Sequence, residues 1–296
     1  MDLSALRAFR SVAENRSFSE AAVELHLTQP AVSKRVATLE QQLQQRLFDR
    51  TGKQVRLTEA GDILLDAARQ ILQTSETAED QIRSLGKQVR GRLRIATSHH
   101  VGIHRLPEPL KRFTRAYPEV ELDLRFMDSE LAAAEVRQGR VELAVATLPV
   151  QTLAGLDSQA IWHDQLLVVC QADHPLLSLK TVSLGELRQY PAVLPARGTI
   201  TRQVVDTLLG NEQAIRIALE TNYLETIRVM VGVGLGWSVL PATMLNADIV
   251  ELTVKHEKLS RTLGLIRAPQ HTLSVAAERF IEIIIQDRDT QSLAGL

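Results

Sequence analysis

The chain has 296 residues, 45% of them apolar and 23% charged, with 34 Lys+Arg against 35 Asp+Glu and a single cysteine. At roughly 150 residues per domain there is room for about two domains, and the composition excludes collagen, extended disorder and a dense disulfide scaffold. The net charge of −1 excludes a polycation that coats nucleic acid or anionic membrane, so any nucleic-acid affinity must be local. Cys170 has no partner for an intrachain disulfide, which fits a reducing compartment. The opening MDLSALRAFR lacks a cationic leader with an apolar core, and no run approaches the ~18 apolar residues of a membrane span. The expectation is a cytoplasmic protein without a membrane partner.

Charge is concentrated near the start. Residues 1 to 57 carry a net +3, and Thr28 to Leu57 carries +4, from Lys34, Arg35, Arg46, Arg50, Lys53 and Arg56 against Glu40 and Asp49. Leu3, Leu6, Phe9 and Ala13 recur at three- and four-residue steps and predict a first amphipathic helix ending near Asn15. Ser17 and Ser19 offer caps for a short second helix through Ala21, Ala22 and Leu25. Thr28 caps a third, with Pro30 in its first turn, running towards Leu43. In that helix Ala31, Val32, Val36 and Leu39 face inward, leaving Gln29, Pro30, Ser33, Lys34 and Ala37 on the other side. Two short helices, the second presenting a polar N-terminal face, make a helix-turn-helix that can enter a major groove. Gln pairs bidentately with adenine, Ser donates or accepts, and Pro or Ala touches a thymine methyl. LFDRTGKQVRLT then reads as a hairpin wing with Thr51 and Gly52 at its tip.

The stretch SFSEAAVELHLTQPAVSKRVATLEQQLQQRLFDRTGKQVRLTEAG resembles the winged helix-turn-helix of the LysR-type bacterial transcriptional regulators, including the TQPAVS opening of the recognition helix and the LFDR wing entry. The resemblance implies that Gln29, Pro30, Ser33 and Lys34 lie at the major groove, while Thr28, Arg50 and Lys53 contact backbone or neighbouring grooves. Ser17 joins this DNA-facing set, and the implied partner is double-stranded promoter DNA.

From Thr58 a proline-free stretch predicts one helix to Leu85, about 42 Å long at 1.5 Å per residue. Leu64, Ala68, Ile71, Ser75, Ala78, Ile82 and Leu85 follow the alternating steps of a coiled-coil seam that would pair two subunits. The competing reading is an amphipathic helix packed on its own domain. Gly86 and Gly91 mark a hinge. The expected domains are 1–58 (winged helix-turn-helix), 59–90 (dimerisation helix and hinge) and 91–296 (effector binding). Family resemblance implies a homo-oligomer, a tetramer of two dimers, with RNA polymerase as a further candidate partner.

Beyond Arg92, β-rich runs (RLRIAT, VELDLRF, ELAVAT, LLVVC, AVLP, IRIALET, GWSVLP, LGLIRA) alternate with helical ones (LPEPLKRFTRAYP, ETIRVMVGVG), predicting an α/β domain with mostly parallel strands. The fold class is α/β multidomain. The resemblance implies two lobes joined by crossing strands, as in periplasmic binding proteins, with lobe I near 91–162 and 268–296 and lobe II near 163–267. Ligands in open α/β sheets gather beyond the carboxyl ends of strands. Polar residues accumulate there: Thr97, Ser98, His99 and His100; Asp128 and Ser129; Thr147; Arg197, Gly198, Thr199 and Thr201; Asn222 and Tyr223. Several lie where helices begin, and each Ser or Thr alone is equally a helix cap. Together they predict a small anionic effector between the lobes. The set comprises Thr97, Ser98, His99, His100, Ser129, Thr147, Arg197, Thr199, Thr201, Asn222 and Tyr223.

His100 and His104 share a helical spacing suited to a metal, but no cysteine or HExxH pattern accompanies them, so no metal or other cofactor is expected. The stretch ATSHHVGIHRLP resembles the TTHT-type loop of the family's sulfur-assimilation regulators, which points to a sulfur oxyanion, with a small carboxylate as the other candidate. Catalysis is not expected. GVGLGW lacks GxGxxG spacing, Ser238 in GWSVL lacks the second glycine of a nucleophile elbow, and Cys170 in LLVVC reads as a buried strand thiol.

Overall fold

The computed structural model describes residues 1–49, 55–84, 89–210, 215–255 and 258–288. The chain divides into two compact units, one built on Met1–Gln88 and one on the chain from Val89 onward.

The first unit opens with α1 (Leu3–Asn15), where the Asp2 carboxylate accepts the Ala5 amide at 2.8 Å and so satisfies one free donor of the first turn. Ser17 caps α2 (Phe18–Glu24), accepting from the Glu20 amide at 3.2 Å. Thr28 caps α3 (Gln29–Leu43), accepting from the Ala31 amide at 3.4 Å, with Pro30 in the first turn, where a missing N–H costs nothing. Phe9, Val12, Ala21, Val32, Val36 and Leu39 meet in one core. The wing pairs β1 (Phe48–Asp49) antiparallel with β2 (Arg56–Leu57). Phe48 pins it to the helices, its ring 5.3 Å from Phe9 and 5.6 Å from Phe18. Burying a phenylalanine contributes roughly 1.5–3 kcal/mol, which outweighs the weak pairing of two-residue strands. The wing tip at Thr51 and Gly52 lies outside the described residues.

The long helix α4 (Glu59–Ser84) starts under Thr58, whose hydroxyl accepts the Gly61 amide at 3.1 Å and donates to the Arg46 carbonyl at 2.6 Å. A Cβ at Gly61 would collide with the Leu47 carbonyl, so only glycine lets the helix approach the wing this closely. The predicted coiled-coil seam needs correction. Ala68 is fully buried with Leu65 and Leu72 in the core of the helix-turn-helix, so the competing reading holds for that face of the first half of α4. Other members of the predicted seam stay open: Ile82 is 68% exposed and Ile71 and Ala78 are exposed too, with Ile63, 71% exposed, and Ala67 beside them. Leu85 and Gly86 lie outside the described residues.

The second unit runs β3 (Gly91–Thr97), α5 (His99–His104), α6 (Pro107–Ala116), β4 (Val120–Phe126), α7 (Ser129–Arg137), β5 (Leu143–Leu148) and β6 (Asp157–Gln171). It continues with α8 (Leu184–Leu187), β7 (Ala192–Leu194), α9 (Ile200–Leu209), β8 (Ile217–Glu220), α10 (Leu224–Gly232), β9 (Ser238–Pro241), β10 (Ile249–Glu251), β11 (Leu259–Arg267) and α11 (Val275–Gln286). Its parallel pairs are β3 with β4, β3 with β5, and β7 with β8. The expectation of mostly parallel strands is overturned around β6, which is antiparallel to β11, β9 and β10, while β11 is antiparallel to β5. The physical reason is the length of β6. Its first half pairs with β11 beside β5, and its second half pairs with β9 and β10. The strand therefore crosses between two lobes, and β11 returns the chain in the opposite sense, with Thr262–Arg267 paired to β5 of the first lobe. Helix α11 closes the first lobe, its Phe280 ring edge-on to Phe113 at 5.3 Å. The second lobe packs Leu176, Leu187, Val205 and Trp237 around the other end of β6.

Candidate nucleic-acid interface and effector pocket

On α3 the buried side is Val32, Val36 and Leu39, with Ala31 only half-buried. Gln29, Pro30 and Lys34 are exposed, and Gln29 Nε2 donates to Ser33 Oγ at 3.1 Å. This bond links the two side chains best suited to base edges across one helical turn. Thr28 and Ser17 are engaged as caps through their hydroxyl lone pairs, and each retains a hydroxyl proton to donate. Arg50 and Lys53 lie outside the described residues.

In the second unit a pocket with about 460 Å³ of empty space, its open mouth included, lies between the two lobes. Eight of the eleven predicted effector residues line it: Ser98, His99, His100, Ser129, Thr147, Thr199, Thr201 and Asn222. They converge because β3, β5 and β7 end on the same side and each chain end turns into a loop or helix there. Three predicted residues do not line it. Thr97 is fully buried and donates to the Val145 carbonyl at 2.8 Å, tying β3 to β5. The Arg197 side chain is 79% exposed and 3.9 Å from Glu220. Tyr223 is half exposed and places its ring edge against His99 at 4.7 Å.

The pocket floor is an ion cluster that sequence reading did not find. Asp164 of β6 accepts Arg261 of β11 through Nε at 3.2 Å and Nη2 at 2.8 Å, and Arg105 at 2.8 Å. Arg261 Nη1 donates to Thr201 at 3.0 Å. Burial alone would push the Asp164 carboxyl up, but His100, Arg261 and Arg105 outweigh it and hold the group well below the usual carboxylate range. Arg261 sits mid-strand, where its charge reads from sequence as a solvated edge. Asp128 and Glu130 also line the pocket. Asp128 falls at a strand end and was visible there, whereas Glu130 reads as an ordinary first-turn acid on α7.

One group in this pocket lacks a partner, and a second is poorly aligned with its own. Ser98 Oγ is buried without a hydrogen bond, although Ser98 occupies the cap position of α5. His100 is 6% exposed, and neither ring nitrogen makes an aligned hydrogen bond, Nε2 lying 3.2 Å from Asp164 Oδ2. Burial and the Arg261 charge push the His100 pKa down, against the pull of Asp164. The unfolded chain takes up a proton at this position near pH 6.5, whereas the buried ring resists it. Stability should therefore fall as pH drops below about 6.5, and His100→Asn should flatten that slope. Urea denaturation between pH 5 and 8 measures the difference.

The other roles resolve individually. Thr199 caps α9, accepting the Arg202 amide at 3.2 Å, and Ser129 Oγ accepts the Thr147 amide at 3.2 Å. Asn222 spans the lobes, its Nδ2 donating to Asp128 at 2.8 Å and its Oδ1 accepting from Ala196 at 3.1 Å. His104 Nε2 lies 2.6 Å from Glu225, and its ring lies 4.7 Å from that of His100. Among the described residues no group of three His, Cys, Asp or Glu could hold a metal ion, and no helix is long and apolar enough to cross a membrane. Burial pushes the Cys170 thiol up to about 11, leaving it protonated and unreactive.

Residues 3–62 match the bacterial regulatory helix-turn-helix of the lysR family, and residues 86–288 match the LysR substrate binding domain. The chain is 31% identical over 293 residues to the RuBisCO operon transcriptional regulator of Allochromatium vinosum, covering 97% of this chain and 96% of that one. It is 28% identical over 299 residues to the transcriptional regulator CysL of Bacillus subtilis, covering 97% and 98%. A full-length OxyR point variant from Pseudomonas aeruginosa superposes with a TM-score of 0.74 at 25% identity, covering 97% and 94%. The two matched segments fall on the helix-turn-helix unit and on the pocket-bearing unit described above. The chain belongs to the LysR family: it is a DNA-binding transcriptional regulator with an effector-binding domain, and not an enzyme.

Proposed function

We propose that this regulator acts in the cytoplasm as a homo-oligomer on paired promoter half-sites, and that a small acidic effector held between the lobes changes its DNA contacts. Gln29, Pro30, Ser33 and Lys34 read the major groove, while Ser17, Thr28, Arg50 and Lys53 hold the flanking backbone. The exposed stripe Ile63, Ala67, Ile71, Ala78 and Ile82 pairs two copies, and dimers associate further into tetramers; two recognition helices about one helical turn apart then match a near-palindromic operator. RNA polymerase is a candidate contact once the complex is on its promoter. The domain division 1–58, 59–90 and 91–296 follows the same logic.

The observation that carries the effector reading is the unsatisfied buried Ser98 Oγ, in an inter-lobe pocket that also holds Arg261 and Thr201. A buried polar atom without a partner costs about 1–3 kcal/mol, and an acid group supplies acceptors for such donors. The acid end of the effector, a carboxylate or a sulfur oxyanion, fits these donors. Ligand that prefers one lobe arrangement by about 1.4 kcal/mol shifts the ratio of two states about tenfold. The test is a Ser98→Ala/Thr201→Val variant, which should retain the promoter footprint yet lose its response to effector. A response equal to that of the unmodified protein would remove the pocket from the mechanism.

A further inference from the structure

The pocket is bipolar. Its floor is donor-rich: Arg261 and Thr201 are buried there, and Ser98 Oγ is buried and unpartnered. Its mouth is acidic, because Asp128 and Glu130 are both exposed and both line it. Each of these carboxylates spends one oxygen on the opposite lobe. Asp128 Oδ2 accepts Asn222 at 2.8 Å, and Glu130 Oε1 accepts the Ile200 amide at 2.7 Å. The second oxygen of each has no protein partner among the described residues.

The charges set what such a site takes. Behind the floor, Arg105 and Asp164 join the lining Arg261 in a cluster with one positive charge in excess, and His100 is held neutral by burial. Asp128 and Glu130 oppose this with two negative charges at the entrance. A bare oxyanion gains the floor donors but must pass and remain beside two like charges. A ligand that carries an acid group at one end and an ammonium at the other satisfies both, because an ammonium brings three donors to the spare carboxylate oxygens. Resting on the effector reading above, we infer that this pocket selects a small zwitterion of the α-amino-acid class, carboxylate inward and ammonium between Asp128 and Glu130. Asp128 and Glu130 are then specificity-determining residues that reject simple carboxylates and sulfate. By holding Ile200 and Asn222 they also make lobe contacts that bound ammonium reinforces.

The test uses the full-length protein in thermal-shift and calorimetric titrations. Its probes are the twenty protein L-α-amino acids, the corresponding carboxylates lacking the amino group, and sulfate. At least one amino acid should bind ten-fold or more tighter than its deaminated counterpart, and Glu130→Gln combined with Asp128→Asn should erase that preference. The deaminated carboxylate should bind the double variant as well as, or better than, the unmodified protein. Carboxylates or sulfate binding the unmodified protein as tightly as any amino acid would overturn the inference while leaving the effector pocket standing. So would a preference that survives the double substitution. If no compound of any set binds, and Ser98→Ala/Thr201→Val leaves the promoter response unchanged, the effector reading falls with it.

Discussion

Asp164→Asn should destabilise the effector-binding domain by about 3–5 kcal/mol, the cost of leaving a buried charge without its partner. Asp164 has no exposed side-chain surface, and the Arg261 side chain is 3% exposed, so water cannot replace what the substitution removes. Arg261 would keep its charge, since a guanidinium does not deprotonate in a protein, but would face a neutral amide with one acceptor oxygen and an NH2 group that cannot accept its second bond. For a domain of this size the loss corresponds to a melting temperature lower by about 6–20 °C. Urea denaturation should show the lowered midpoint. Replacing both residues by apolar ones of similar volume, Asp164→Leu with Arg261→Met, should cost less than Asp164→Asn alone, because the unpaired charge leaves with its partner. Equal or additive losses would show that the cluster is not a coupled unit. The sign with pH is also fixed. The Asp164 carboxyl is depressed in the folded state, so its contribution is present above the ordinary carboxylate value and is lost as pH falls through the lower folded value.

Gln29→Ala combined with Ser33→Ala should weaken sequence preference while leaving the fold intact. Gln29 is exposed and Ser33 half-buried, they are hydrogen-bonded to each other, and neither belongs to the core that Val32, Val36 and Leu39 join, so no core side chain is removed. A bidentate side-chain contact to a base edge supplies about 1–3 kcal/mol of discrimination, so operator affinity should fall about 5- to 150-fold, with nonspecific affinity unchanged. Lys34→Ala should act differently. Removing its positive charge from the groove should weaken binding to every sequence and reduce the slope of log affinity against log salt by about one, with a larger loss on operator than on scrambled duplex. Fluorescence anisotropy on operator and scrambled duplexes at several salt concentrations separates these outcomes. Equal loss on both duplexes after the double substitution would assign Gln29 and Ser33 to phosphate positioning.

The helix-turn-helix was legible because its signals are local. Thr28, Pro30 and the Val32/Val36/Leu39 stripe fix the start, phase and buried side of α3 within a dozen residues, and the structure places the helix where those residues put it. Strand β4 coincides with VELDLRF for the same reason. The long strand β6 was half hidden. Only LLVVC reads as strand, because the preceding DSQAIWHDQ is polar and irregular in pattern, and its pairing with β11 is a contact between residues about a hundred positions apart. The seam on α4 shows a different limit. Spacing alone puts Ala68 and Ile71 on one seam, but does not register that the helix-turn-helix core takes up Ala68 and leaves Ile71 exposed. In the pocket, strand-end hydroxyls announced themselves, whereas Arg261, Asp164 and Glu130 became site residues only through long-range pairing and the meeting of two lobes.

The central claim is that α3 reads a defined promoter sequence under the control of the inter-lobe pocket. Its most direct test is footprinting of the purified protein on the DNA upstream of its own coding sequence, at fixed salt because phosphate contacts dominate affinity. The account predicts protection of two half-sites spaced by about one helical turn or a multiple of it, with their boundaries or intensities shifting when effector is added. Uniform protection that competes equally with unrelated duplex, there and in selection from random sequences, would contradict it.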